Sequence, residues 1–310
     1  MHDDNADALL TIPARKGSTN LVSFTYKRNG AQQVATSTTT GIAKPANAYN
    51  TLGQLTKSGP STAQVAYAYD AADRLTGRNS TTTQAYDAAS ELCWSKTAAV
   101  ANPSCSTIPT GATRYTHDAR GNRTAKTPST GAATTYSYNQ NNQMTAVSGA
   151  ATYAYDADGL RMSKTLTGKP ATRMIWDRSQ AIPNLMGDGA NTYIYGPDGT
   201  PLEQISSAGA VSYLHHDQLG STRLITSSTG AKVATYNFDP YGAQTAKTGT
   251  ATTPLGYAGQ YKDAESGLIY MRARYYDPAS GVFTSADPIG SLGSGQNLYG
   301  YVGGDPLNFV

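Results

Sequence analysis

The chain is poor in the residues from which catalytic and metal sites are usually built. Its 310 residues include two cysteines and four histidines, and only 15% are charged. Two cysteines with neither a Cys-x-x-Cys pair nor a histidine cluster argue against a zinc site. The Gly-x-Ser-x-Gly elbow, the phosphate loop, the His-Glu-x-x-His helix and the Gly-x-Gly-x-x-Gly turn are all missing. Gly290-Ser-Leu-Gly-Ser-Gly295 is glycine-rich but lacks the lysine and helix of a phosphate cradle. No cofactor is expected. The net charge is +3, and the 24 basic residues are scattered rather than clustered. That speaks against nucleic acid, whose readers concentrate lysine and arginine on one face. No apolar run approaches the ~20 residues of a membrane-crossing helix. The amino terminus, Met1-His-Asp-Asp-Asn-Ala-Asp, is acidic and has no secretory pattern. It reads as a start inside a longer protein, or as a fragment of one.

Phenylalanine is also scarce, with four copies, whereas tyrosine has 22. The tyrosines are not scattered. In Tyr153-Ala-Tyr155-Asp156-Ala-Asp-Gly159 two aromatics stand two apart, followed by Asp and then, three residues later, Gly. Variants of this signature recur eleven times. The turn-opening position falls at Lys27, Asn50, Asp70, Asp87, Asp118, Asn139, Asp156, Asp177, Gly196, Asp217 and Asp239, at intervals of 17 to 31 residues. A period near twenty marks a repeat architecture.

Residues two apart on a strand share a face, and tyrosine suits a pleated surface with one wet side. Asp or Asn opens a turn because its side chain can hold the backbone beyond it. Gly, three residues on, closes that turn at low cost. Asp73, Ser90, Asn142 and Gln180 take the Gly place in four copies, and an apolar residue such as Leu55, Leu75, Leu92 or Met144 follows the turn. Each unit is therefore strand–turn–strand. The predicted fold is all-β, a curved or spiralling ribbon of consecutive antiparallel hairpins.

The long interval, Asp87 to Asp118, holds both cysteines, Cys93 and Cys105. The insertion between them reads as a surface loop closed at its neck. In an oxidising compartment a bridge there stabilises by roughly 3 kcal/mol on loop-entropy grounds; in a reducing one the two thiols stay unpaired. His215-His216-Asp217 and His117 fall at strand ends beside turn residues. Adjacent histidines on a strand point to opposite faces and do not readily share a metal.

From about Tyr257 the chain is denser and less repetitive. Arg272-Ala-Arg-Tyr-Tyr-Asp-Pro278, Asp287-Pro-Ile-Gly290 and Asn297-Leu-Tyr299 follow one another. Together with the repeats, these blocks resemble the RHS/YD-repeat family and its associated core motif. The resemblance divides the chain into a hairpin array, 1–246, and a core motif, 247–310, cut short at its end. It implies part of a hollow shell, as in Tc toxins, bacterial polymorphic toxins and the teneurin barrel. It also implies a C-terminal toxin domain as partner, a secreted or cell-surface location, and no enzyme activity in this piece.

In many members the core motif releases the toxin by aspartic-type self-cleavage. Asp287 matches the Asp of the motif's Asp-Pro-x-Gly block. Asp277 and Asp305 are candidates for a second acid, and Gln296 stands where related chains can carry Asp. The family's scissile bond follows a further Asp-Pro-x-Gly-Leu block that this sequence does not reach, so self-cleavage is expected only of a parent chain. Asp before Pro is equally a turn opener. Arg272 and Arg274 are expected on one strand face, where either can pair with a carboxylate. The alternative function is a surface ribbon that binds cell-surface glycans on open tyrosine rows.

Overall fold

The computed structural model describes residues 8–39, 45–294 and 297–310. It is built almost wholly of antiparallel strands, and each strand in a sheet pairs with its neighbour in sequence. A three-stranded sheet runs from Thr11–Lys16 to Val34–Thr39, and a thirteen-stranded sheet from Ala48–Tyr49 to Thr172–Arg173. An eight-stranded sheet then spans Ile175–Asp177 to Gln244–Gly249, and a four-stranded sheet closes the chain between Tyr261–Lys262 and Val282–Phe283. Among the described residues, the helical segments Asn79–Thr81, Tyr257–Gly259, Ser291–Ser294 and Val302–Gly304 are each a turn or so long.

The turns explain this sequential pairing. At Asp156 the backbone N–H donates to Leu160 O at 3.0 Å, and Gly159 N–H donates to Asp156 O at 3.2 Å. The Asp156 carboxylate accepts from the Asp158 and Leu160 amides at 3.1 and 2.9 Å. One side chain thus holds a three-residue loop whose last residue, Gly159, has φ +85°. A left-handed residue there suits the twist of the flanking strands. The same pair of backbone bonds recurs at Asn50, Asp70, Asp87, Asp118, Asn139, Gly196, Asp217 and Asp239. Asp73, Ser90 and Asn142 fill the glycine place at φ 58°, 64° and 59°. Beyond the Asp156 loop the register slips by one residue, so that Tyr155 faces Arg161 and Ala154 faces Ser163. Such a bulge adds local twist.

One expected turn position is corrected, and one holds with a longer loop. Lys27 lies within a strand, opposite Thr36. The turn opens instead at Asn29, whose side-chain oxygen accepts from Ala31 and Gln33 amides at 3.0 and 2.9 Å. Lysine has no acceptor to do this. Asp177 does start a reversal, accepting from Ser179 N–H at 2.9 Å, but its strand partner is Asn184, so the loop is longer than in the other units.

Adjacent hairpins are joined by few backbone pairs, such as Lys57 with Ala66 and Ser58 with Val65. Near the turns a tyrosine hydroxyl bridges instead. Tyr49, Tyr69, Tyr86, Tyr155 and Tyr195 donate to the carbonyls of Val34, Leu55, Leu75, Met144 and Leu185 at 2.6–3.0 Å. In each case the acceptor is the first residue after the previous unit's turn. The second tyrosine of the signature is therefore a stitch between units, and its phenol explains the preference for tyrosine over phenylalanine.

Candidate functional site

The first tyrosine of the signature has a different role. Tyr67, Tyr115, Tyr136, Tyr153 and Tyr193 are all buried. What covers them is the last part of the chain. Leu55, Tyr67 and Leu75 pack with Tyr257, Ile269, Tyr276 and Tyr301. Tyr136, Met144 and Tyr153 pack with Leu268, Tyr270 and Tyr275. Leu92 and Tyr115 meet Val282 and Tyr299, and Met174, Leu185 and Tyr193 meet Leu255 and Tyr261. One segment thus lies across the apolar face of successive hairpins.

Two buried ion pairs fix where it lies. Arg161, fully buried, donates to both carboxylate oxygens of Asp263 at 2.6 and 3.1 Å. Lys164 reaches the same carboxylate at 3.0 Å. The guanidinium sits among the rings of Tyr270, Tyr153, Tyr261 and Tyr275, 4.4–5.8 Å from their centres. Arg123, also fully buried, donates to Asp277 at 2.8 Å and stands 4.5 Å from the centre of the Tyr115 ring. Its backbone N–H donates to Thr284 O. Burial alone raises the Asp277 carboxyl, but Arg123 and Lys126 outweigh it and hold the group below its ordinary range. Both arginines stand at the post-turn position that is aliphatic in Leu55, Leu75, Leu92 and Met144. A buried cation there requires a buried carboxylate opposite, because a lone charge in such a place is very costly.

The candidate acids are engaged separately. Asp277 holds Arg123, and its Oδ1 also accepts from Ala279 N–H at 3.1 Å. Asp287 accepts from Arg274 Nη2 at 2.8 Å and from Ile289 N–H at 3.1 Å, and its backbone carbonyl closes a turn with Gly290. Arg274 also donates to Leu298 O and lies 3.6 Å from the centre of the Phe283 ring. Asp305 accepts from Gln33 at 2.9 Å and Asn308 at 2.7 Å. Gln296 lies outside the described residues. Arg272 does not share a strand face with Arg274. It occupies the turn between Ile269–Met271 and Arg274–Asp277, and no carboxylate pairs with it among the described residues.

Cys93 and Cys105 form a disulfide with Cα atoms 5.6 Å apart. Beside it Trp94 is fully buried and donates to Ser104 O at 2.9 Å. His117 lies 3.6 Å from Glu91, and burial, helped by Arg123, lowers its pKa to about 4. Burial, with His215 alongside, likewise lowers His216 to about 4. His215 and His216 contact different hydroxyls, those of Thr226 and Thr222. Among the described residues no cluster of three or more histidine, cysteine or acidic side chains is arranged to hold a metal. The buried arginines and Asp263 went unrecognised in the sequence. The available signal was an arginine standing where sister repeats carry an aliphatic residue.

Comparison with known proteins agrees with this architecture. The family model described as Teneurin YD-shell matches residues 108–297, and that described as RHS Repeat matches residues 49–85. Double-stranded DNA deaminase toxin A of Burkholderia cenocepacia (strain H111) is 27% identical over 161 residues, covering 44% of this chain and 11% of that protein. Probable deoxyribonuclease RhsB of Dickeya dadantii (strain 3937) is 54% identical over 59 residues, 19% of this chain and 4% of that protein. Toxin protein Tse5 of Pseudomonas aeruginosa is 33% identical over 111 residues, 34% of this chain and 8% of that protein. The chain thus spans about a tenth or less of these relatives. A mutant Tc holotoxin pore of Photorhabdus luminescens has the same fold over 100% of this chain and 17% of that one, with TM-score 0.70 and 15% identity.

Proposed function

The chain belongs to the Teneurin YD-shell family, and from that membership we propose that it is a wall and inner plug of a shell enclosing a toxic polypeptide in its parent protein. On this reading residues 1–246 form the wall and 247–310 the plug, the parent is secreted or displayed at the cell surface, and the piece itself is structural. The observation that carries the proposal is the segment packed across the tyrosine rows and pinned by Arg161–Asp263 and Arg123–Asp277. Relatives named as toxins supply the nature of the cargo. A glycan-binding ribbon needs open tyrosine rows, and here those rows are covered. Asp287 pairs with Arg274 and its carbonyl closes a turn with Gly290. On this reading self-cleavage is a property of the parent protein, with Asp287 as its candidate acid.

The test uses the parent chain with its native downstream sequence. Limited proteolysis should leave the downstream polypeptide intact while it is enclosed. It should become digestible when Arg123→Ala and Arg161→Ala loosen the plug. Equal digestion of both proteins would refute the enclosure. Mass spectrometry of the same samples reports self-cleavage. Release that persists in Asp287→Asn would confine Asp287 to its turn.

A further inference from the structure

A cavity of about 570 Å³ opens where the hairpin turns meet the C-terminal segment. Trp176, Leu185, Tyr195 and Tyr270 give it an apolar wall, and Asn184 and Gln260 add amides. Arg272 stands among them. Its guanidinium is held on two sides, by Pro183 O at 2.8 Å and Gln260 Oε1 at 2.7 Å, with its carbon 6.0 Å from the centre of the Trp176 ring. Arg78, Arg123, Arg161, Arg223 and Arg274 each face a carboxylate. Arg272 has none among the described residues. Asp198, the acid that lines this cavity, is exposed, and its Oδ1 accepts from Thr200 N–H. Val310 also lines the cavity. Burial without a carboxylate holds the Arg272 guanidinium below its ordinary range.

The backbone is left-handed at this residue. Arg272 has φ +58° in a two-residue turn where glycine would be relaxed. An L-residue in that conformation costs about 1 kcal/mol. The same conformation closes ordinary turns at Asp73, Ser90 and Asn142, so the site rests on the cavity and on the guanidinium that faces no carboxylate.

We propose that this cavity binds a peptide carboxylate, with Arg272 on the carboxylate and the Trp176–Tyr195–Tyr270 wall on an adjoining apolar side chain. The flat rings and Leu185 suit an apolar side chain, and the Asn184 amide suits a peptide bond, while Gln260 is engaged with Arg272 and Ala258 O.

Trp176 provides the readout, because the other tryptophan, Trp94, is fully buried at the disulfide and contributes a constant background. The 310-residue chain is titrated with N-acetyl-phenylalanine, with N-acetyl-phenylalaninamide and with glucuronate. The acid should change Trp176 emission saturably below about 10 mM, and the amide should bind at least about tenfold more weakly. Arg272→Gln and Arg272→Gly should each weaken the acid by about tenfold or more. The glycine variant relaxes the turn, so its loss of binding reports the guanidinium. Should either variant fail to melt cooperatively, the acid–amide comparison on the unsubstituted 310-residue chain still decides. No saturable change, equal binding of acid and amide, tighter binding of glucuronate, or undiminished binding by a folded Arg272 variant would each overturn the proposal.

Discussion

Arg161 is a buried cation whose energetics depend on one distant carboxylate. Removing Asp263 alone, as Asp263→Ala, leaves that charge uncompensated and should cost about 3–5 kcal/mol. Replacing both partners, Arg161→Met with Asp263→Leu, should cost far less, because a well-packed apolar pair often matches a buried ion pair. Urea unfolding of the two singles and the double gives the coupling directly. Burial sets a second residue-scale effect, at His117 and His216. Their pKa falls from 6.5 to about 4 on folding. The unfolded chain therefore binds protons first, and stability is lost as pH falls from about 6.5 toward 4. Asp277, held low by Arg123 and Lys126, extends the loss at still lower pH. The His117→Gln, His216→Gln double variant should flatten the upper part of a plot of stability against pH. An unchanged slope would remove the histidines from the account. The ion-pair partners were not legible in the sequence, since those of Arg123 and Arg161 lie more than a hundred residues away. An arginine in the place of an aliphatic residue marks the position as unusual but does not say which carboxylate it meets.

The hairpin is the scale at which the sequence was most readable. An Asp or Asn, its two amides and a left-handed residue all lie within five positions, so the physics is local. The expectation failed at Lys27 for a local reason, since spacing was followed there instead of the acceptor that Asn29 carries two residues later. The same locality yields a paired prediction. Gly159→Ala places a side chain at φ +85°, 3.1 Å from the Gln143 amide, and should destabilise by about 1–2 kcal/mol. Ser90→Gly relaxes φ +64°, and its gain is offset in part by the greater freedom of glycine in the unfolded chain, leaving a change within about 1 kcal/mol of zero. Thermal melts of the two variants should separate in that order.

At the scale of the molecule, sequential hairpins account for the sheets but leave one face of each apolar. Composition made that face visible; nothing local said what covers it. The covering segment binds even the start of the ribbon, through Asp305 to Gln33 and Asn308 to the Val34 amide. A chain ending at Gly249 should therefore keep much of its β-type circular dichroism, lose cooperative melting, and bind a dye such as ANS on its uncovered tyrosine rows. An undiminished melting transition without dye binding would show that the ribbon is stable unaided.

The stitched ribbon and its late covering segment also set an order in time. Each hairpin can form as soon as its own twenty or so residues have left the ribosome, because its partners are its immediate neighbours. The covering segment is made after every surface it touches. During synthesis the apolar face is therefore open and sticky, and its closure waits for residues 250–310. For that interval the nascent chain depends on chaperones, or on speed, to stay out of aggregates. Slowing translation before residue 250 should harm yield more than slowing it after residue 310 in any longer chain that carries this module.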